Sequence, residues 1–199
     1  MSLKNLGELI KPELLYKFVD AAEILKVVSH QYGTTYNIPP YPCWMEYLNE
    51  GGLQGSISFT RNTDKHPVLS EMVTLVLQIF SEIFDKKLPL LRERVHFIRT
   101  KGNVVPHRDE GGRRCCINIG VKNSTGALTK LGIDDTFKTF DERHETYIIN
   151  PGVGYLLDTS RIHAVTATND QSRYLITYGF AESFAKVSTL LSGNKIIST

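Results

Sequence analysis

The sequence predicts a mostly β fold, in which short strands close on themselves and two helices come first. Two observations carry this prediction. From residue 92 onwards, short apolar segments are separated by turn residues about every eight to twelve positions, which is typical of closed β architectures. Before residue 92, two longer segments carry apolar residues at helical spacing. The 199 residues suffice for one domain with a full core, and we expect a single domain over residues 1–199.

The first 91 residues are expected to supply the helices. Residues 11–29 repeat apolar side chains at helical spacing, with Pro12 in the first turn, where proline is tolerated. Residues 32–47, rich in tyrosine and proline, are interpreted as an ordered loop that leads into a strand. Residues 53–61 are expected to form a strand. Pro67 then opens a second helix that runs to about Phe84. Both helices are expected to pack on the outer surface of the β structure.

The remainder is predicted as strands and turns, followed by a short helix. Turns are expected at 101–103 and at 123–126, where glycine and asparagine occur together. A last helix is predicted between Glu182 and Gly193, whereas residues 127–142 are assigned to no element. The expected strands are 95–99, 114–121, 144–150, 154–158, 162–167 and 173–180.

Composition excludes several classes of function. The net charge of +2 and the pI of about 8.4 are too small an excess of positive charge to indicate a nucleic-acid partner. No run of about 18 apolar residues predicts a membrane span, and the first residues lack the pattern of a signal peptide. The three cysteines cannot all pair within one chain, which favours reduced thiols in a cytoplasmic protein. No C-x-x-C motif indicates structural zinc.

A candidate metal site begins with His107 and Asp109. They lie two residues apart, so in an extended segment their side chains leave the same face. His163, in a later apolar segment, is the preferred third ligand, and His96 is the alternative. Two histidines and one carboxylate form the facial triad of non-haem Fe(II) oxygenases. The competing interpretation is that His107 is a loop histidine, Asp109 a turn residue and His163 a core histidine, and that they bind no common metal ion.

Arg173 follows His163 by ten residues and is a candidate anion site. Asn169 and Asp170 predict a turn between them, which would place His163 and Arg173 on neighbouring antiparallel strands. A loop of three or five residues would point both side chains to the same face. A guanidinium group matches a carboxylate in a two-point contact, so the pattern indicates an acidic co-substrate. Alternatively, Arg173 is a surface charge at the start of a strand.

Two residues of the predicted strand 114–121 are further candidates for this anion site. Arg114 and Asn118 share one strand face, together with residues 116 and 120. If that face looks inward, both side chains help to hold the co-substrate. The alternatives are solvent exposure for Arg114 and a structural hydrogen bond for Asn118.

Supporting roles are predicted for four other residues. Asp158 and Ser160 precede His163 closely enough to orient an imidazole N–H, although both residue types also form turns. Trp44 and Tyr47 are candidates for a substrate entrance, although aromatic residues are commonly core.

The motifs resemble those of the Fe(II)- and 2-oxoglutarate-dependent dioxygenase superfamily. The resemblance rests on Gly-Asn-Val-Val-Pro-His-Arg-Asp at 102–109, the segment 114–121, His163 and Arg173. It covers about residues 92–180, which we take as the core of the domain. The aspartyl/asparaginyl β-hydroxylase-like branch is the most similar and the prolyl hydroxylase-like branch the second. This resemblance implies a double-stranded β-helix, a jelly-roll or cupin-like fold, with iron at one mouth.

The resemblance also implies roles for the candidate residues. His107, Asp109 and His163 would bind Fe(II), and Arg173 would bind the distal carboxylate of 2-oxoglutarate. Arg114 matches an arginine of the β-hydroxylase-like strand, whereas Asn118 stands where that branch has a histidine. The implied reaction consumes 2-oxoglutarate and dioxygen and hydroxylates a C–H bond of an amino-acid, peptidyl or small-molecule substrate. Two other hypotheses stay open: a cupin-like metal enzyme that does not use 2-oxoglutarate, and a non-catalytic β-barrel binding protein.

Overall fold

The computed structural model describes residues 3–31, 39, 41–49, 51–58, 65–109, 112–132 and 144–191. Within these residues the chain forms twelve β-strands and three α-helices. The helices are α1 Pro12–Glu23, α2 Pro67–Ile83 and α3 Phe184–Leu191. The strands are β1 Leu3–Glu8, β2 Val27–Ser29, β3 Trp44–Asn49, β4 Gly52–Ser58, β5 Val95–Gly102, β6 Val104–His107, β7 Cys115–Gly120, β8 Ala127–Gly132, β9 His144–Tyr147, β10 Val153–Leu157, β11 His163–Ala167 and β12 Arg173–Phe180.

The strands are arranged in two sheets. The larger has the order β1-β10-β7-β12-β5-β4-β3-β2, and the smaller has the order β6-β11-β8-β9. From β5 to β12 the chain passes repeatedly from one sheet to the other, so strands that are consecutive in sequence mostly face each other across an interior. This is the mostly β jelly-roll arrangement that the sequence and its resemblance predict, and the fold class is confirmed.

The helices pack on the outer face of the larger sheet. Strand alternation sends Ile176 and Phe180 of β12 towards the helices, whereas Leu175 joins the cluster between the sheets. Each large apolar side chain buried in these layers contributes about 1.5–3 kcal/mol. The predicted outer position of the first two helices is confirmed. Fully buried helix residues in the outer cluster include Leu15, Phe18, Met72, Val76, Phe80 and Val187.

The predicted helix at 11–29 is wrong beyond Glu23. Helix α1 begins at Pro12 as expected but ends at Glu23, and Val27–Ser29 forms β2, which pairs in parallel with β3. Val27 and Val28 are β-branched, and such residues pack well in a strand. Helix α2 matches its prediction closely.

No helix in the described part of the chain is long and apolar enough to cross a membrane.

The turn predicted at 101–103 is shorter than expected. Strand β5 continues to Gly102, and Asn103 alone separates it from β6 in the other sheet. Gly102 has a φ of 81°, a conformation that glycine adopts without steric cost, which lets the chain change sheet in so few residues. The N–H of Asn103 donates to the carbonyl of Gly51 at 2.7 Å. This corner leads directly into the first metal-ligand candidate.

Besides β2, four strands fall where the sequence predicts no strand. Strand β6, Val104–His107, directly follows the predicted turn. Strand β1 forms an edge of the larger sheet against β10, and β8 occupies Ala127–Gly132 in the unassigned stretch. Strand β3 occupies the end of the predicted loop 32–47 and extends beyond it. Residues 59–61 of the predicted strand 53–61 and residues 133–143 lie outside the described part of the chain.

The predicted pairing of the His163 and Arg173 strands is wrong. Strand β11 pairs with β6 and β8 in the smaller sheet, whereas β12 pairs with β5 and β7 in the larger one. The connection contains the expected turn, in which Asn169 Oδ1 accepts a hydrogen bond from the N–H of Gln171 at 3.1 Å. A turn signal specifies a local bend but not the partner of the strand that follows, and here residues 168–172 cross between the sheets.

Candidate metal centre

The structure brings His107, Asp109 and His163 together at one end of the interior. His107 ends β6, His163 begins β11, and the two are direct partners across the antiparallel pair. Asp109 follows β6, where its N–H donates to the carbonyl of Thr159 at 3.1 Å. Asp109 Oδ1 lies 3.8 Å from His107 Nε2 and 3.7 Å from His163 Nε2. All three ligand atoms lie within 4.8 Å of one another, so the group could hold a metal ion.

Main-chain carbonyls orient both imidazoles. His107 Nδ1 lies 2.9 Å from the carbonyl of Val105, and His163 Nδ1 lies 3.0 Å from the carbonyl of Arg161. A carbonyl oxygen only accepts, so in the neutral rings Nδ1 carries the proton and Nε2 presents its lone pair to the site. The histidines are therefore arranged as metal ligands that bind through Nε2.

Asp158 and Ser160 do not orient these rings, contrary to the prediction. Ser160 Oγ donates to Asp158 Oδ1 at 2.5 Å, and Arg161 Nε donates to Asp158 Oδ2 at 3.1 Å. These residues form a local turn network that stabilises the segment leading to His163. Their alternative interpretation as turn-forming residues is the correct one.

Arg113, which is not among the residues predicted from the sequence, contacts the acidic ligand candidate directly. Its Nε donates to Asp109 Oδ2 at 2.6 Å, which leaves Oδ1 facing the imidazoles. Burial acts to raise the pKa of Asp109, but the hydrogen bond and the charge of Arg113 outweigh it, so this pKa is lowered. Burial and the neighbouring His107 lower the pKa of His163 to about 4. The carboxylate is therefore ionised and the His163 ring neutral at pH 7, as metal binding requires.

Arg114 does not reach this interior. It is exposed and lines a separate groove with Ser160, Arg161 and residues 183–185 at the start of α3. Strand parity favours Arg114 as the inward residue, but Gly112 has a φ of 85° and turns the chain just before β7 begins. Arg113, the residue before Arg114, therefore takes the inward position. The sequence does carry a signal for its contact with Asp109, because the two residues are four positions apart with two glycines between them.

Asn118 does face the interior. Its β7 position pairs with Tyr155 and Thr177 on the two neighbouring strands. Asn118 Oδ1 accepts a hydrogen bond from Cys116 Sγ at 3.4 Å. Its amide nitrogen has no hydrogen-bond partner among the described residues and is available to a bound group. The predicted contact of Asn118 with a co-substrate stays a prediction.

Arg173 is buried in the same interior, with 5% of its surface exposed. Its Nε donates to Thr100 Oγ1 at 3.2 Å, and no carboxylate of the described residues forms a salt bridge with it. Burial lowers its pKa to about 10, so the guanidinium remains charged at pH 7. The interpretation of Arg173 as a surface charge is therefore wrong. A buried cation without an acidic partner is costly unless an anion binds beside it.

Tyr147 on β9 faces Arg173 from the opposite sheet. It is 8% exposed, and its hydroxyl has no hydrogen-bond partner among the described residues, although Thr129 lies beside it. Burial raises the pKa of Tyr147 well above its usual value, so the hydroxyl keeps its proton. The Tyr147 hydroxyl and the Arg173 guanidinium, which has no acidic partner among the described residues, together offer two donors to an anion.

Tyr147 and Arg173 lie deeper in the interior than the metal-ligand candidates, by about two residues along a strand. On β11, His163 pairs with Leu131 of β8, and two residues further Val165 pairs with Thr129. Thr129 in turn pairs with Tyr147, the residue beside Arg173. Two residues along a strand span roughly 7 Å. The interior therefore holds the three ligand candidates at its mouth, and below them lie Arg173 and Tyr147, two donors that could face an anion.

His96, the alternative third ligand, lies outside the triad. It sits on β5, where its Nδ1 lies 3.3 Å from Ser58 Oγ. Burial, with Arg113 and Arg94 as neighbouring cations, lowers its pKa to about 4. The alternative with His96 as ligand is not supported by the geometry.

A cavity of about 260 Å³ opens beside the triad. Tyr47 lines it as predicted for an entrance residue, whereas Trp44 is fully buried in the outer core, where its indole N–H donates to the carbonyl of Ala22 at 2.7 Å. Strands β3 and β4, from the N-terminal part of the chain, thus build one wall of the cavity. The described lining residues are Tyr47, Gln54, Gly55, Ser56, Ile98, His107, Arg108, Asp109 and Arg113.

Comparison with known proteins supports the fold. No family model matches the sequence, and no curated protein matches it. A 2OG-Fe(II) oxygenase family oxidoreductase from Burkholderia pseudomallei is similar in structure with a TM-score of 0.57 and 10% identity, over 86% of this chain and 80% of that one. A prolyl-4-hydroxylase from Pseudomonas putida has a TM-score of 0.53 and 9% identity, over 89% and 91%. HygX from Streptomyces hygroscopicus, solved with nickel and 2-oxoglutarate, has a TM-score of 0.55 and 9% identity, over 89% and 82%.

The similarity extends over most of each chain at very low identity. This similarity therefore shows the fold, whereas the reaction that the protein performs depends on the residues of its own site. The chain has the fold of the Fe(II)- and 2-oxoglutarate-dependent oxygenases, with a His-Asp-His group that could hold a metal ion.

Proposed function

We propose that this protein is an Fe(II)- and 2-oxoglutarate-dependent oxygenase that hydroxylates a C–H bond of its substrate. The observation that carries the proposal is the presence of two groups of side chains in one interior. His107, Asp109 and His163 bring three ligand atoms within 4.8 Å of one another, and Arg173 is buried below them with no salt bridge to a carboxylate of the described residues. The first group suits a metal ion, and the second suits the far carboxylate of a dicarboxylic acid.

The donor set fits Fe(II). Two imidazole nitrogens and one carboxylate oxygen from one side leave further coordination positions open, which is the arrangement of non-haem Fe(II) oxygenases. No cysteine belongs to the group, so the thiolate ligands that favour zinc or iron–sulfur clusters are absent from it. The Nδ1–H contacts with the carbonyls of Val105 and Arg161 hold both rings in the required tautomer.

The deeper site fits the distal carboxylate of 2-oxoglutarate. Arg173 would accept it in a two-point contact, and the Tyr147 hydroxyl would donate a further hydrogen bond. Asn118 lies between this site and the mouth and would contribute its free amide nitrogen. Arg114 has no place in the proposal, because its side chain is exposed at another groove.

Each residue then has a defined task in the reaction. When bound, Fe(II) supplies the redox chemistry that couples decarboxylation of 2-oxoglutarate to oxidation of a C–H bond by dioxygen. His107 and His163 would hold the metal through Nε2, and Asp109 would hold it through Oδ1. Arg113 keeps Asp109 ionised and fixes its orientation. Arg173 sets the direction in which the dicarboxylic acid enters the interior.

The test is anaerobic addition of Fe(II) and 2-oxoglutarate, followed by visible spectroscopy. A 2-oxo acid bound to Fe(II) through both its oxygens is expected to give a weak charge-transfer band. Arg173→Met should weaken 2-oxoglutarate binding by about 100-fold or more, since it removes a buried charge contact. Arg114→Met serves as the matched control and should leave the band and the affinity unchanged.

Other outcomes would point to other functions. Iron binding without the band indicates a metal enzyme that does not use 2-oxoglutarate. Failure to bind any divalent metal indicates a binding protein whose His-Asp-His group is coincidental. With the band established, release of succinate during aerobic turnover with a panel of amino acids, peptides and small molecules would identify the substrate.

A further inference from the structure

The described walls of the cavity beside the triad carry an excess of positive charge. Arg108 and Arg113 line it, and Asp109 is the carboxylate among the described lining residues. Both oxygens of Asp109 are already engaged, since Oδ2 accepts from Arg113 at 2.6 Å and Oδ1 faces the two imidazoles. A bound divalent metal would increase the positive charge further. The combined field of Arg113 and a bound divalent metal would therefore favour an anion beside them.

Hydrogen-bond donors face the same space. Arg113 uses Nε for Asp109, and its terminal nitrogens have no hydrogen-bond partner among the described residues. Gln54 Oε1 accepts from the Tyr47 hydroxyl at 2.7 Å, so the amide nitrogen of Gln54 remains to donate. Donors on two sides of a cavity suit a group that accepts hydrogen bonds and carries negative charge.

The position of Arg113 is built into the fold. Its aliphatic chain lies on the backbone of Gly179 in β12, where a Cβ atom would meet Arg113 Cδ at 2.6 Å and Cγ at 3.0 Å. Its side chain is 29% exposed, so the guanidinium is partly removed from water. A guanidinium held in this way loses little further entropy when it binds an anion.

We propose that the cavity binds a small carboxylic acid as the substrate, with its carboxylate held by the terminal nitrogens of Arg113 and the amide nitrogen of Gln54. The proposal rests on the oxygenase function proposed above and adds the class of substrate to the same site. A volume of about 260 Å³ lies just below the range usual for drug-sized ligands, which favours a small acid. Arg113 thus contacts both the substrate and the acidic metal ligand.

The experiment uses the full chain loaded with Mn(II) and saturating 2-oxoglutarate, so that the triad and the Arg173 site are filled. The probes are 4-methylpentanoate and 4-methylpentanamide, which have the same shape and differ in charge. Paramagnetic broadening of their methyl proton signals reports binding near the metal. We expect the acid to bind about tenfold more tightly than the amide, a difference of about 1.4 kcal/mol.

Two variants place the binding site. Gln54→Glu puts a negative charge opposite Arg113 without touching the triad and should abolish the broadening of the acid. Gln171→Glu makes the same charge change in the exposed connection between β11 and β12 and should leave the broadening intact. In both variants, retention of Mn(II) and of 2-oxoglutarate is measured first.

The outcomes separate this proposal from the function on which it rests. Equal broadening of acid and amide in a protein that binds Mn(II) and 2-oxoglutarate would overturn the acidic substrate and leave the oxygenase function standing. Displacement of the acid by excess 2-oxoglutarate would mean that the acid binds at Arg173, and this result would also overturn the acidic substrate. If neither Mn(II) nor 2-oxoglutarate binds, both proposals fail together.

Discussion

The side chain of Arg113, which precedes β7, lies directly on the backbone of Gly179 in β12. A Cβ atom at position 179 would stand 2.6 Å from Arg113 Cδ, closer than carbon atoms approach each other. Gly179→Ala should therefore displace Arg113 and weaken its 2.6 Å contact with Asp109. We expect about a tenfold loss of Mn(II) affinity, at the lower end of the effect of residues that support a metal ligand. Isothermal titration calorimetry measures it.

Gly154→Ala is the matched control for this substitution. A Cβ atom at position 154 would meet Leu9 Cδ1 at 2.3 Å, so the crowding is comparable but lies on β10, away from the triad. It should lower thermal stability and leave Mn(II) affinity unchanged. Wild-type affinity in Gly179→Ala would show that Arg113 does not depend on this glycine.

The three proposed ligands should be individually required for metal binding. His163→Ala removes one Nε2 from a group in which all ligand atoms lie within 4.8 Å, and we expect Mn(II) affinity to fall by more than about 100-fold. Because a ligand that binds only the folded state stabilises it, Mn(II) should raise the Tm of the wild type but not of this variant. His96→Ala should keep the metal-induced rise in Tm, and its loss there would reopen the assignment of the third ligand.

The sequence predicts the residues of the candidate metal site more completely than it predicts the pairing of the strands around them. The spacing of His107 and Asp109 predicts one shared face, because side-chain direction alternates along an extended chain, and the structure has both at one point. The sheet to which each strand belongs depends on contacts far apart in sequence. For that reason the turn between His163 and Arg173 predicts paired strands, whereas in the structure the two residues face the interior from opposite sheets.

Two residues of the interior could not be identified by pattern alone. Arg113 takes the inward position expected of Arg114, because the left-handed conformation of Gly112 shifts the chain before β7 begins. Tyr147 reaches Arg173 across the interior from β9, and no local spacing relates residues on opposite sheets. Local rules of alternation work within a strand, whereas turn conformation and sheet assignment decide what happens between strands.

Tyr147→Phe should have opposite effects on the free and the bound protein. The hydroxyl is buried without a partner among the described residues, and such a group costs about 1–3 kcal/mol. Its removal should raise the Tm of the ligand-free protein by about 2–4 °C. The same change should weaken 2-oxoglutarate binding by about tenfold, since one hydrogen bond to a charged group is lost. Thermal unfolding with and without 2-oxoglutarate measures both.

Tyr178→Phe provides the comparison for Tyr147→Phe. The Tyr178 hydroxyl accepts a hydrogen bond from the N–H of Leu91 at 2.8 Å on the outer side of the larger sheet. Its removal should lower the Tm and leave 2-oxoglutarate affinity unchanged. A lower Tm in both variants would mean that the Tyr147 hydroxyl has a partner within the protein.

His96 should make the fold sensitive to acid. Burial, with Arg113 and Arg94 nearby, lowers its folded-state pKa to about 4, whereas its ordinary value is 6.5. Ser58 and Thr177 face it from the neighbouring strands and supply no negative charge. The unfolded chain therefore binds a proton that the folded protein does not, and stability that is present above pH 6.5 is lost as the pH falls towards 4.

His96→Gln should therefore flatten the acid side of the stability profile. Urea unfolding at pH 7.5 and pH 5 measures the loss, which we expect to be smaller in the variant than in the wild type. In the metal-free protein the loss should not vanish, because the pKa of His163 is also lowered to about 4. Val95→Ala, at a fully buried neighbouring position, should lower stability by the same amount at both pH values. An unchanged difference between the two pH values in His96→Gln would mean that the buried imidazole does not control this transition.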